Sequence, residues 1–177
     1  MSYDFFVFPA DAAPDVTGAT RLYEATSDRG PLTPEGPMAG FLASLETAGL
    51  DASGHDGGAV VRTSWDDPRN NLSVVAGLAR PHGLSVLDVQ LTALYDPRGA
   101  VDVPLVTEAG PCLPFVTRPV LHDVLDHLVE RRYTWLRLGP NRVSSDGAAF
   151  SVDGVPVSAT DIEDRLWSLA VSSGVEA

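Results

Sequence analysis

Ala148-Ala149-Phe150-Ser151-Val152-Asp153-Gly154-Val155-Pro156-Val157-Ser158 is the stretch whose reading decides the fold. Two short extended runs, Ala148 to Val152 and Val155 to Ser158, flank Asp153-Gly154. An Asp-Gly pair between such runs is the chemistry of a two-residue turn, because both central residues of that turn favour positive φ. Only antiparallel neighbours can be joined so tightly. Elsewhere helices and strands mix without a strict βαβ rhythm. The expected class is α+β: a mixed or antiparallel sheet with about four to five helices packed on it, in a single domain with a possible subdivision near residue 100.

Working outward, Thr160-Asp161-Ile162-Glu163 has the spacing of a capping box opening a last helix, whose apolar stripe is Ile162, Leu166, Leu169 and Ala170. Tyr133 to Leu138 alternates like a half-buried strand. Thr117 and Pro119 open a helix through about Arg131, with Leu121, Val124, Leu125 and Leu128 on one side. Val101 to Val106 and Cys112 to Val116 read as strands. In the first half, Tyr3 to Phe8 is apolar on both faces apart from Asp4, which predicts a central, doubly covered strand. Val16, Ala19, Leu22, Tyr23 and Thr26 predict a helix, broken by Arg29-Gly30-Pro31. Thr33 and Pro34 predict the start of another, with Met38, Phe41, Leu42 and Leu45 as its stripe and Gly49 beyond its end. Asp51 to Gly58 reads as a flexible loop and Ala59 to Trp65 as a strand. Leu72, Val75, Ala76 and Ala79 predict a helix ended by Pro81-His82-Gly83. Leu84 to Asp88 and Leu91 to Tyr95 are short extended runs.

The 177 residues are enough to bury a core without disulfide or metal. Charge is the clearest global feature: 24 acidic residues stand against 12 basic ones, a net charge of −12. Every basic residue is Arg, so Lys-based Schiff-base, P-loop and general-base chemistry is excluded. Such a charge favours solubility and basic partners and disfavours nucleic acid and anionic membrane. With one cysteine, Cys112, no internal disulfide can form. The N-terminus has no secretory pattern and no apolar run approaches a membrane span, so the expected location is cytoplasmic.

No nucleophile elbow, Walker loop, HExxH or CxxC motif is present. The densest group of chemistry-bearing residues is His122-Asp123-Val124-Leu125-Asp126-His127. On a helix, His122 pairs with Asp126 and Asp123 with His127, each at i,i+4. Such pairs suit a proton relay or a metal. However, His122 and His127 diverge by about 140° around the axis, too far to share one ion. A solvated helix face, no metal and no cofactor are the expectation. Cys112 is expected to be buried, His82 to end a helix, and Trp65, Trp135 and Trp167 to be core or partly buried anchors; an exposed Trp would mark a contact surface.

Met1-Ser2-Tyr3-Asp4-Phe5-Phe6-Val7-Phe8, with Ala79-Arg80-Pro81-His82-Gly83-Leu84 and Asp88-Val89-Gln90, resembles a loose group of small bacterial, actinobacterial-type proteins. That group opens on such a strand and carries a His-Gly-Leu motif followed by Asp-x-Gln. Some of its members resemble toxin-immunity proteins. The resemblance covers about the first 95 residues, and it implies a cytoplasmic binding role with no catalytic residues. The chain departs from the group's pattern in that Asp88-Val89-Gln90 is offset and Asp96-Pro97-Arg98 comes later.

The functional expectation is therefore a non-enzymatic, immunity-type or regulatory protein that covers a basic protein partner, with Asp123, Asp126 and Glu130 on the surface it presents. The alternative is a hydrolase or transferase drawing on His82, Asp88, His122 or His127. An accessory subunit of a larger assembly is a third possibility.

Overall fold

The computed structural model describes residues 1–26, 28 and 31–175. The chain is α+β and divides into two compact units, Met1–Arg98 and Gly99–Ala177.

The first unit is built on β1 (Tyr3–Pro9), which lies in the middle of a five-stranded sheet. Its neighbours are β3 (Gly58–Thr63) and β4 (Leu84–Asp88), both antiparallel to it. Outside them lie β2 (Asp51–His55) and β5 (Ala93–Tyr95). Because side chains alternate along a strand, β1 feeds two cores. Phe6 and Phe8 join Leu87, Val60 and Ala19, packed against Val16, Leu22 and Tyr23 of α1 (Val16–Thr26). Phe5 and Val7 point the other way. α2 (Pro37–Thr47) and α3 (Pro68–Ala79) pack on each other, and α3 also packs on β1 and β4.

Two readings in this unit need correction. Asp51 to Gly58 is not a loop: β2 and β3 form a hairpin turning at Asp56-Gly57. Gly58 lets the chains approach, since a Cβ there would sit 2.5 Å from the Phe6 ring and 2.6 Å from the Val7 carbonyl oxygen. α2 starts three residues later than Pro34, at Pro37 behind Gly36. The Pro31–Pro34 stretch instead runs alongside β2, with Pro31 bridged to His55 and the Leu32 N–H donating to the Gly54 carbonyl. Arg29 and Gly30, expected to break α1, lie outside the described residues.

The second unit carries a six-stranded antiparallel sheet in the order β11-β10-β9-β8-β6-β7. The strands are β6 (Leu105–Thr107), β7 (Cys112–Leu113), β8 (Trp135–Leu138), β9 (Asn141–Ser145), β10 (Phe150–Val152) and β11 (Val155–Val157). The Asp153-Gly154 turn joins β10 and β11 as expected, with positive φ at both residues. β9 has no counterpart among the extended runs that the sequence predicts. The buried side of the sheet carries Leu105, Leu136, Leu138, Val143 and Phe150. α4 (Arg118–Val129) is capped by the Thr117 side chain and packs on β9 and on α5 (Ile162–Val175). Leu121, Val124, Leu125, Leu128, Ile162, Leu166 and Ala170 are buried, whereas Leu169, like Leu42 of α2, is only partly so.

Candidate functional site

The residues singled out from the sequence separate into a buried set and an exposed set. Asp88 belongs to the first. It closes β4, opposite Phe5, and is 2 % exposed. Its Oδ2 accepts from the Tyr3 hydroxyl at 2.7 Å and its Oδ1 from the Leu91 N–H at 3.0 Å. Two residues on, Gln90 accepts the Asp4 N–H through its side-chain oxygen at 3.1 Å. The opening strand and the Asp88-Val89-Gln90 segment are thus tied together by side-chain hydrogen bonds.

Burial pushes the Asp88 carboxyl above its ordinary value, although the donors from Leu91, Tyr3 and Gln90 oppose the shift. Burial, and then the neighbouring Asp88, push the Tyr3 hydroxyl well above its own. This arrangement holds strands together and offers no opening to a reactant. His82 has a similar structural place. It ends a single 3-10 turn after α3, and its ring lies where a Cβ on Gly40 of α2 would stand, 2.8 Å away.

His122 is exposed and better placed for chemistry. Its Nδ1 lies 2.6 Å from Glu163 Oε1 and its Nε2 3.4 Å from Asp126 Oδ2. Asp126 is the expected i,i+4 partner. Glu163, from the first turn of α5, is not a partner the local pattern suggests. Read as half of a capping box, it instead turns its carboxylate to His122 and to Arg118, whose Nε donates to Oε2 at 3.0 Å. Arg118 also bonds Asp164 and stacks over Trp167 with its guanidinium carbon 5.9 Å from the ring centroid.

The Glu163 hydrogen bond, then the charges of Asp126 and Glu163, raise the His122 pKa. Partial burial works to raise the Glu163 pKa, but the bonds from His122 and Arg118 outweigh it and the net direction is down. The second expected pair, Asp123 with His127, does not form among the described contacts. His127 meets Tyr133 edge-on at 6.3 Å between ring centroids, and the Tyr133 hydroxyl donates to the Val124 carbonyl at 2.8 Å.

Between α4 and the start of α5 lies a cleft of about 400 Å³. Leu125, Ile162 and Phe150 contribute buried apolar side chains to it, and Val129, 46 % exposed, continues that surface outward. His122, Asp126 and Glu163 supply the polar rim. Asp123 on the same helix and Glu130 at its C-terminal cap are exposed outside the cleft.

Of the four catalytic candidates, only His122 lines this cleft; His82 and Asp88 belong to the first unit. Among the described residues, no group of three His, Cys, Asp or Glu side chains is placed to hold a metal ion. Cys112 proves half-buried on β7, not sealed, because β7 is the edge strand and its side chain lies on the outer sheet face. Trp65 is 50 % exposed, with its ring edge-on to Tyr3 at 4.8 Å.

Among the described residues, no helix is long and apolar enough to cross a membrane. No protein-family model, curated protein or solved structure matches the chain.

Proposed function

We propose that the protein is a non-enzymatic binding module that engages a basic protein partner through the exposed side of α4 and the adjoining cleft. The observation that carries this reading is the composition of that surface. Asp123 and Asp126 are exposed along α4, Glu130 is exposed at its C-terminal cap, and Asp126 and Glu163 rim a cleft with an apolar floor. An acidic rim around an apolar floor suits the long side chain of Arg or Lys, whose stem is apolar and whose head is charged. The acidic group at the start of α5 has a local cause in the helix dipole, whereas Asp126, inside α4, is not placed there by the dipole. Immunity-type or regulatory covering of a basic target is the biological form this reading favours, and a cytoplasmic location accompanies it.

The test is the association rate with the partner captured from the native host. The rate should fall as salt rises and fall again in the Asp126→Arg/Glu130→Arg double variant. An association rate indifferent to both would refute the reading. A hydrolase or transferase is the second reading, and the flanking of His122 by Glu163 and Asp126 favours it. A histidine held between two carboxylates is a competent general base. Turnover of model esters or phosphoesters that disappears in His122→Gln would select it.

A further inference from the structure

The outer face of the six-stranded sheet carries a second surface of opposite sign. Arg137 of β8 and Arg142 of β9 are direct cross-strand partners, and both are exposed. Like charges placed opposite each other on one sheet face repel. In a chain with twice as many acids as bases, such a pair would be expected to recruit carboxylates of its own. Arg62, Arg98, Arg118 and Arg132 all do so.

Among the described residues, neither Arg137 nor Arg142 forms an ion pair. Two neighbouring carboxylates have partners of their own. Asp153 accepts the Arg142 backbone N–H at 2.9 Å. Glu108, whose pKa Arg142 helps to lower after the Thr134 bonds, uses Oε2 for the Thr134 N–H and hydroxyl, at 2.6 and 2.7 Å.

The surroundings are also specific. Arg142 lies over the Trp135 ring, with its guanidinium carbon 5.1 Å from the centroid, which fixes the fork on the sheet surface. Trp135 is paired with Ser144, and Ser144 with Ser151, so one row of the sheet runs from an aromatic ring to two hydroxyls 2.8 Å apart. Those hydroxyls line a shallow trough of about 360 Å³. Asp146 lies on the trough's rim with Oδ1 tied to the Ala148 and Ala149 N–H groups.

We infer that Arg137 and Arg142 together hold the phosphoryl group of a small phosphate monoester, whose hydroxyl-bearing body lies along Trp135, Ser144 and Ser151. Two guanidinium charges match a phosphoryl dianion better than a single carboxylate, and planar forks suit its oxygens. The chain's charge of −12 repels extended polyanions over a long range, which singles out a small ligand. The inference does not depend on the reading of the α4 surface.

The experiment follows the Trp135 indole N–H and the Arg side-chain N–H resonances during titration at constant ionic strength. The probes are inorganic phosphate, a sugar phosphate and acetate. Saturable shifts with both phosphates, at least about tenfold tighter than with acetate, are expected. Arg137→Gln and Arg142→Gln should each weaken binding about tenfold, and Arg132→Gln, at a guanidinium already paired with Glu130, should not. The sugar phosphate, but not inorganic phosphate, should lose affinity in Ser144→Ala/Ser151→Ala. Linear, unsaturable shifts shared by all three anions would overturn the inference, as would phosphate binding unchanged in the Arg137→Gln/Arg142→Gln double variant.

Discussion

Asp88 in the first unit and His122 in the second are both titratable groups with polar partners on two sides, and they have opposite surroundings. Asp88 is sealed between strands and spends both oxygens on the protein's own donors. The His122 side chain is 61 % exposed beside a cleft, and its partners are carboxylates that solvent also reaches. The first arrangement contributes to folding, because a buried carboxyl left without donors is costly. The second contributes little to folding, because exposed ion pairs are weak, and it leaves charge available to a partner. Substitutions at the two places should therefore separate stability from binding.

The largest effects should come from the cores beneath the two sites. Phe5, fully buried beside Asp88, should cost about 3–5 kcal/mol when replaced by Ala. Leu125→Ala should cost about 2–3 kcal/mol, at the low end for a core leucine, because its side chain opens on the cleft and water can enter the space left. Urea unfolding of both variants measures the difference. Equal losses would mean that the cleft closes in solution.

Next in size is Asp88→Ala, which leaves the Tyr3 hydroxyl and the Leu91 N–H without their acceptor and should cost about 1–3 kcal/mol. Its sign with pH can be checked separately. A carboxyl whose folded pKa lies above its unfolded one binds its proton more tightly in the native state. Its favourable contribution is complete below the unfolded value and declines as pH rises through the folded one. Asp88→Asn should remove that decline. A stability profile identical to wild type across the acid range would place the Asp88 titration elsewhere.

The same contrast explains what the sequence could and could not reveal. β1 and the Asp153-Gly154 hairpin were legible because their residues are apolar in a telling order and the partner strand is adjacent. The Asp56-Gly57 hairpin has equally good turn chemistry. It is hidden because Asp51 to His55 has no alternation to announce a strand; its pairing is imposed by the apolar β3. β9, with Val143 as its one buried residue, was hidden for the same reason. In the site, Asp126 was visible from local spacing, since i,i+4 geometry is fixed by the helix. Glu163 was not, because its contact with His122 spans 41 positions and depends on how α4 and α5 pack. Asp88 and Tyr3, 85 positions apart, meet only through the sheet register.

A smaller expected effect is kinetic. Asp126→Arg with Glu130→Arg should slow association with a basic partner about tenfold at low ionic strength while leaving thermal stability within about 0.5 kcal/mol of wild type. The loss should shrink at high salt, where screening removes the long-range attraction. If the double variant is destabilised as much as Asp88→Ala, the two places are not different in kind.

The smallest effect, and the sharpest on the chemistry of His122, is its titration. The Glu163 bond comes first among the causes that raise its pKa, and the charge of Asp126 second. Glu163→Gln should therefore lower the pKa read from the imidazole resonances more than Asp126→Asn does. The sign for stability follows from the raised folded value: the His122 contribution is complete below the unfolded pKa, near 6.5, and is lost as pH rises through the folded one. Within the same window His122 sheds its positive charge, and the cleft between Asp126 and Glu163 becomes more negative. Association with a basic partner should then quicken as pH rises, just where the His122 contribution to stability fades. If Asp126→Asn lowers the pKa more than Glu163→Gln, the histidine is held by its own helix and α5 has no part in setting its charge.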